Sequence, residues 1–369
     1  MIDQLKALIR FQSYSGQERP ILEHIKTDLE TSGMEPFFQG NNLVVKLTGT
    51  DQRRAFIFNG HVDVVDTADP SGWKHDPWSG EIVDGKIYGR GSSDMKGGVL
   101  AIMEAAKSLF QKGGLPIDLW FTFVAHEETS GEGTEQFVKW FQSEGYIDKY
   151  HEMAAVFAEP TGLDTVKYGH RGSFFIKAEK IGVSGHSSRP LDIKPHAIDV
   201  MSEFINDLRA ENLSWQEKFK DSEFVPPTIT PTSIEAKSES PNKTAEYCEA
   251  HFDLRTTPKY HQEAFDRVKE LADQRTIKLS MLYPPSPIGY TKPDAKIVKI
   301  FRQVIPSIKI GVNEASNDLG FFTQAGIEGV IFGPGEESQA HRTDESADIS
   351  QIIAAPAIFE KVYLAWAEK

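Results

Sequence analysis

The sequence predicts an α/β fold interrupted by an inserted domain, on three observations. Short apolar runs alternate with amphipathic helical stripes as far as Ala158, the pattern changes near Ser173, and it resumes after Pro284, Pro285 and Pro287. At 369 residues the chain also exceeds what one hydrophobic core usually organises. The expected architecture is a mixed, largely parallel sheet with helices on both faces, plus an inserted α+β domain. The expected bounds are 1–172 and 284–369 for a discontinuous larger domain and 173–283 for the insertion.

The elements follow in order. Ile2, Leu5, Leu8 and Ile9 share one helical face, and Ser15-Gly16-Gln17-Glu18 reads as a capping box opening a second helix with Ile21, Leu22, Ile25 and Leu29. Leu43 to Leu47, Ala55 to Phe58, Leu119 to Ala125 and Ala154 to Ala158 read as strands. Val99, Leu100, Met103, Ala106, Leu109 and Phe110 form a helical stripe after Gly97-Gly98, and Phe137, Trp140 and Phe141 mark a further helix. In the insertion, the alternating run Ser173 to Val183 precedes a helix through Ile198, Met201, Ile205 and Leu208, then a polar loop from Ser214 to Lys243. A strand from Tyr247 to Leu254, a helix from Glu263 to Gln274 and a strand from Ile277 to Leu282 complete it. The α/β pattern returns with a helix through Ile297 and Phe301, a strand from Gly329 to Phe332 and a last helix holding Phe359, Val362 and Trp366.

Composition narrows the function classes. Forty basic against fifty-four acidic side chains give a net charge of -14, with no Lys/Arg run, so neither nucleic acid nor an anionic membrane is an expected partner. Cys248 is the only cysteine, which excludes an intrachain disulfide and a thiolate metal cluster. Asp3, Lys6, Arg10 and Glu18 break up the N-terminal segment, so no signal peptide is expected, and no apolar stretch reaches bilayer length. A cytoplasmic location is the expectation.

The chemistry gathers where apolar runs end. Gly60-His61-Val62-Asp63 follows one such run, and a spacing of two puts His61 and Asp63 on one face of an extended strand. Gly89-Arg90-Gly91-Ser92-Ser93-Asp94 leads into a helix but matches neither a phosphate loop nor a dinucleotide fingerprint, and Asp94 would repel phosphate there. A carboxylate at that place suits bridging two cations. Ala125-His126-Glu127-Glu128 and Ala158-Glu159 end further strands, and His341 follows a glycine-containing loop. Singly each has a bland reading, such as a surface histidine or a solvated acidic turn. Together His61, Asp94, Glu128, Glu159 and His341 offer two imidazoles and three carboxylates, a set suited to a two-metal zinc site, with Glu127 left as general base.

In this order the residues resemble the dinuclear-zinc family of succinyl-diaminopimelate desuccinylase, acetylornithine deacetylase, aminoacylase and glutamate carboxypeptidase. The motifs are Gly60-His61-Val62-Asp63-Val64-Val65, Asp84-Gly85-Lys86-Ile87-Tyr88-Gly89-Arg90-Gly91-Ser92-Ser93-Asp94-Met95-Lys96-Gly97-Gly98, Glu127-Glu128, Glu159-Pro160-Thr161, Gly185-His186-Ser187-Ser188-Arg189-Pro190 and His341. The resemblance implies that Asp94 bridges two zinc ions, with cobalt or manganese as the alternative in one site. It places His61 and Glu159 at one ion, Glu128 and His341 at the other, Glu127 as base and Asp63 as the residue that orients the site. It implies a cis peptide at Asp94-Met95, a homodimer formed through the inserted domain, and His186 reaching the partner subunit's active site.

The resemblance also points to Arg255 and Asn242 as contacts for the substrate carboxylate, with Arg171, Ser173, Ser316 and Asn317 beside them. A guanidinium suits bidentate carboxylate recognition. Desuccinylases usually carry Arg where His170 stands, and the family often has Asp where His126 stands. The implied activity is hydrolysis of the amide bond in N-acyl amino acids, nearest to the desuccinylases and acetylornithine deacetylases. A dipeptidase or carboxypeptidase is the alternative; a two-metal phosphoesterase and a metal-free binding protein are remoter ones.

Overall fold

The computed structural model describes residues 1–220 and 223–368. The chain begins with α1 (Ile2–Ile9), α2 (Arg19–Thr31), β1 (Phe37–Gln39), β2 (Asn42–Leu47), β3 (Asp51–His61), β4 (Ile82–Val83) and β5 (Lys86–Tyr88). It continues through α3 (Lys96–Lys112), β6 (Ile117–Val124), α4 (Glu132–Ser143), α5 (Tyr146–Lys149), β7 (Glu152–Phe157) and β8 (Thr165–His170). Then come β9 (Gly172–Ile181), α6 (Ala197–Lys218), β10 (Thr228–Ala236), β11 (Tyr247–Thr256), α7 (His261–Gln274) and β12 (Lys278–Met281). The last stretch holds β13 (Gly289–Tyr290), α8 (Lys296–Val304), β14 (Lys309–Asn313), α9 (Leu319–Gln324), β15 (Glu328–Ile331), β16 (Ser346–Asp348) and α10 (Ile349–Ala367).

Two compact units result. The larger comprises Met1–Gly169, Gly289–Asn313 and Asn317–Lys369; the smaller comprises His170–Ile288 and Glu314–Ser316. The larger unit is built on a sheet in the order β1-β2-β6-β3-β7-β15-β8-β13, with β14 beside β8. Alternation along β3 explains why helices cover both faces. Phe56 and Phe58 point into a core shared with α3 and α10, through Ile102, Met103, Phe359 and Trp366. Ala55 and Ile57 point into a second core with Phe137, Phe141 and Phe322 from α4 and α9. Every residue of β6 is buried, as a central strand packed on both sides requires. Each fully buried large apolar side chain there contributes roughly 1.5–3 kcal/mol.

The expectation of a largely parallel sheet is corrected. Among the described pairs, β3–β6, β3–β7 and β7–β15 are parallel. β1–β2, β2–β6 and β15–β8 are antiparallel, as are the described pairs of the smaller sheets, so antiparallel pairing prevails. The physical reason is connection length. Only Thr48, Gly49 and Thr50 separate β2 from β3, far too few for a parallel crossover, so the chain must reverse.

In the smaller unit a four-stranded antiparallel sheet, β10-β11-β9-β12, packs one face on α6 and α7. Phe174, Ile176, Cys248, Ala250, Phe252 and Leu254 alternate inward against Met201, Phe204, Trp215 and Val268. The polar loop expected from Ser214 to Lys243 is shorter than that, because α6 runs on to Lys218 and β10 occupies Thr228–Ala236; positions 221 and 222 lie outside the described residues. The capping box is also revised. The residue before α2 is Glu18, and no side chain caps that helix.

Candidate metal centre

Strand ends and one helix start bring the site together in the larger unit. β3 ends at His61, β6 delivers Glu127 and Glu128 just beyond its end, β7 delivers Glu159, and the loop into α3 carries Asp94. α3 can lie this close to β7 only because of Gly98, where a Cβ would stand 2.0 Å from the Ala158 carbonyl oxygen. The Asp94–Met95 peptide bond is cis. His61, Asp94 and Glu128 each offer a ligand atom within 4.8 Å of one another, and so do His61, Glu127 and Glu159. His61 Nε2 lies 3.2 Å from Asp94, 3.6 Å from Glu159 and 4.0 Å from Glu127. His341 Nε2 completes the group at 2.9 Å from Glu128 and 3.5 Å from Asp94.

Asp63 organises this cluster from behind. Its carbonyl oxygen lies 3.0 Å from His61 Nδ1, which directs Nε2 toward the carboxylates. Its carboxylate accepts the Glu127 N–H at 3.1 Å, the Glu128 N–H at 3.1 Å and the Ser15 hydroxyl at 2.7 Å. Burial would raise the Asp63 carboxyl, but these donors and His61 hold it below the usual carboxylate range.

The protein leaves the remaining acids short of positive charge. Burial, with Asp318, Glu159 and Glu128 nearby, pushes the Glu127 carboxyl well above the carboxylate range against the pull of His61. Burial and Asp94 lift Glu128 to about 7, and burial with Asp94 lifts Glu159. The carboxylates in turn hold His61 well above the usual imidazole range despite its burial, and the hydrogen bond to Glu128 raises His341 to about 9. Clustered buried carboxylates of this kind are stable when cations neutralise them. Oxygen and imidazole nitrogen donors without thiolate suit zinc and its first-row neighbours, so the residues present fit a pair of such ions.

In the smaller unit, Arg171, Thr228, Thr230, Asp253, Arg255, Glu314 and Ala315 line a cavity of about 320 Å³. Arg255 Nε lies 2.7 Å from Asp253, its Nη2 donates to the same carboxylate at 3.0 Å, and its Nη1 donates to Ser316 Oγ at 3.0 Å. Ser173 Oγ lies 3.0 Å from Ser316 Oγ, while Arg171 Nε donates to the Glu314 carbonyl at 3.1 Å. Arg171, Ser173, Arg255 and Ser316 are thus linked through a few bonds. Asn242 and His186 belong to a different place, beside the His186–Lys243 bridge, where the Asn242 carbonyl accepts the Ser187 N–H and His186 Nδ1 accepts from Ser188. Asn317 lies in the larger unit, where its Oδ1 accepts the Leu319 N–H at the start of α9.

Comparison with known proteins identifies the family. Residues 57–365 match the profile of peptidase family M20/M25/M40. The chain belongs to that family. Succinyl-diaminopimelate desuccinylase of Rhodospirillum centenum is 26% identical over 380 residues, covering 97% of this chain and 95% of its own. Its counterpart from Cereibacter sphaeroides is 26% identical over 378 residues, covering 96% of each chain. Among solved structures, a tripeptidase from Staphylococcus aureus superposes with a TM-score of 0.78 at 17% identity, over 100% of this chain and 98% of that one. An M20 family metallo-carboxypeptidase from Sulfolobus solfataricus gives 0.76 at 18% identity, over 99% and 98%. This M20 protein is a metal-dependent hydrolase. No helix among its described residues is long and apolar enough to cross a membrane.

Residues with no expected site role also support or surround this M20 site. Ser15 and Glu18 hold the site instead of capping α2: Glu18 Oε1 accepts the Gly16 N–H at 2.8 Å and the His126 N–H at 3.1 Å. Asp318 is buried, accepts the Thr134 hydroxyl at 2.7 Å, and is lifted to about 7 by burial and then by Glu159 and Asp63. Lys96 is fully buried and donates to the Phe11 carbonyl at 2.7 Å; burial draws it down to about 7 against Glu345 and Asp63. The Ser15 to Glu18 spacing reads as a capping box in the sequence, and Lys96 gives no sign there of its burial.

Proposed function

We propose that this protein is a dinuclear zinc hydrolase cleaving the amide bond of N-acyl amino acids, with succinyl-diaminopimelate and acetyl-ornithine as first candidates. One observation carries the reading: two imidazoles and mostly buried carboxylates from separate chain segments converge within ligand distance, in a chain aligned almost end to end with desuccinylases. Asp94 is read as the bridging ligand, with His61 and Glu159 on one side and Glu128 and His341 on the other. Two zinc ions, or zinc with cobalt or manganese, supply Lewis acidity toward the amide oxygen and acidify the attacking water when bound.

The chain's own residues do the rest. Glu127 takes the proton from the attacking water and delivers it to the leaving nitrogen. The Asp63 contact to its N–H keeps its backbone in place. Arg255 and Arg171, with Ser173 and Ser316, are read as the contacts to the substrate carboxylate. The smaller unit, read as an inserted lid over 173–283, pairs two copies of the chain, with the edge strand β10 and exposed Ile181, Leu191, Leu213 and Ile234 offering the surface. His186 then serves the partner subunit's site. The cytoplasm is the working place on this reading.

A peptide substrate is the second reading, because the arginine-lined cavity would accept a C-terminal carboxylate equally well. Initial rates of the zinc-loaded enzyme on succinyl-diaminopimelate, acetyl-ornithine and a dipeptide panel separate the two. The expected result is a kcat/KM at least tenfold higher, about 1.4 kcal/mol in the barrier, on an acylated amino acid. Faster turnover of dipeptides moves the assignment to the peptidase, and no amide hydrolysis from fully loaded enzyme defeats both.

A further inference from the structure

Glu345 lies four residues beyond His341 and immediately before β16, and it is completely buried. β16 pairs antiparallel with β5, Ser346 opposite Tyr88, which sets Glu345 against the start of the Asp94 loop. The Glu345 carbonyl accepts the Gly89 N–H at 2.9 Å. Its carboxylate then collects four donors. One oxygen takes Arg90 Nη1 at 2.8 Å and the Gly91 N–H at 3.0 Å; the other takes the Ser93 N–H at 2.8 Å and the Asp94 N–H at 3.0 Å. Successive backbone N–H groups curled around an anion form a nest. Gly91 makes the curl feasible, with φ +82 and a position where a Cβ would stand 2.8 Å from Val64 and 2.9 Å from Lys96. Arg90 Nη1 also reaches the Arg342 carbonyl at 3.3 Å, so the same guanidinium grips the residue next to His341.

Two candidate ligands more than two hundred residues apart in sequence therefore meet through one side chain. Neither the Asp94 loop nor the 341–345 segment is a helix or strand at that point. We infer that Glu345 is a positioning residue that locks the Asp94 loop to the His341 segment and so sets the spacing of the second metal position. The inference rests on the metal-centre reading above, in which Asp94 and His341 are both ligands. Removing one charge from the clasp turns a donor-saturated acceptor into a mismatch, because an amide nitrogen must then face backbone N–H groups. Losses of 10- to 100-fold in metal affinity or activity are typical when a ligand's supporting partner is removed.

The test uses Glu345→Gln, nearly isosteric, in the full-length protein stripped of metal. Stepwise Zn²⁺ binding is followed by calorimetry and Co²⁺ binding by visible absorption, with kcat, KM and thermal unfolding measured alongside. The expected result is a second equivalent weakened at least tenfold, an altered cobalt spectrum, and a kcat reduced about tenfold or more with KM within twofold. A lowered melting temperature with unchanged second-metal affinity, spectrum and kcat at 25 °C would mean a merely structural role and would overturn the inference. If the variant does not fold, hydrogen exchange in the wild-type protein decides: the Gly91, Ser93 and Asp94 amides are expected to be protected without metal, and exchange at open-loop rates overturns the inference. A wild-type protein that binds fewer than two ions fails differently, by removing the metal-centre reading on which this one stands.

Discussion

In the larger unit, Asp63, Asp94, Glu127, Glu128, Glu159 and Asp318 share one neighbourhood with the imidazoles of His61 and His341. In the smaller unit, Arg255 already holds Asp253 on two of its nitrogens and Ser316 on the third, and Arg171 and Glu314 line the same cavity. The first cluster carries more buried negative charge than its own cations can neutralise; the second is close to balanced. The difference separates two kinds of work. An under-compensated acid cluster waits for added cations and, once they bind, has strong fields available for chemistry. A balanced guanidinium pair is held in a fixed orientation, which suits it to selecting a substrate more than to transforming one.

The largest effect that tests this contrast is at Glu127. Glu127→Gln removes the proposed proton carrier and leaves a side chain of nearly the same shape. The expected loss in kcat is about 10²- to 10⁴-fold, with two metal ions retained per chain by elemental analysis. An unchanged kcat would move the base elsewhere, and buried Asp318 would be the next residue to test. An effect about as large as that of Arg255→Met, described below, would mean that the two clusters do similar work after all.

Much of this architecture was readable because local pattern and burial agree. The run Leu119 to Ala125 is apolar except for Thr122, and β6 is buried throughout; the stripe after Gly97-Gly98 is α3. His61, Glu127, Glu128 and Glu159 stood out as polar residues at the ends of apolar strands, and the structure gathers them. What escaped has no local signature. Glu345 and Asp318 become conspicuous only when segments hundreds of residues away close over them, as the Glu345–Gly91 contact does across 254 positions. Ser15 and Glu18 match a capping pattern, yet their side chains serve Asp63 and the backbone at His126. Strand direction is likewise absent from a hydrophobic pattern; only the short link from β2 to β3 encoded the reversal. β10 was hidden because most of it is exposed and largely polar, as an edge strand allows.

At the arginine cavity the expected effect is intermediate and falls on a different constant. Arg255→Met keeps the stem but removes the guanidinium that faces Ser316 and Asp253. KM for a substrate bearing a free carboxylate should rise about tenfold, equivalent to ~1.4 kcal/mol, with kcat within about threefold. The matching amide, lacking that carboxylate, should show no such rise. A fall in kcat with KM unchanged would place Arg255 among the groups acting on the reacting bond and would erase the distinction between the two clusters.

The smallest effect is on stability, and it sharpens what under-compensated means. Burial lifts Glu128 from 4.5 to about 7 and Asp318 from 3.8 to about 7. The folded chain therefore binds these protons more tightly than the unfolded chain does. Stability linked to them is fully present below the unfolded values and is lost as pH rises through about 7. His341, raised from 6.5 to about 9 by Glu128, adds a loss of the same sign between those values. Asp63 and Asp94, held below the usual range, act oppositely but only at pH under about 4, outside this window. The melting temperature of metal-stripped protein should thus fall from pH 5 to about pH 7 in scanning calorimetry, while above that Lys96, drawn down to about 7 by burial, acts in the opposite sense. Reloading zinc should flatten that slope, because bound cations keep the same carboxylates ionised in the folded state. A stripped protein with a level profile would mean that the chain neutralises its own acids, and the contrast with the arginine cavity would no longer hold.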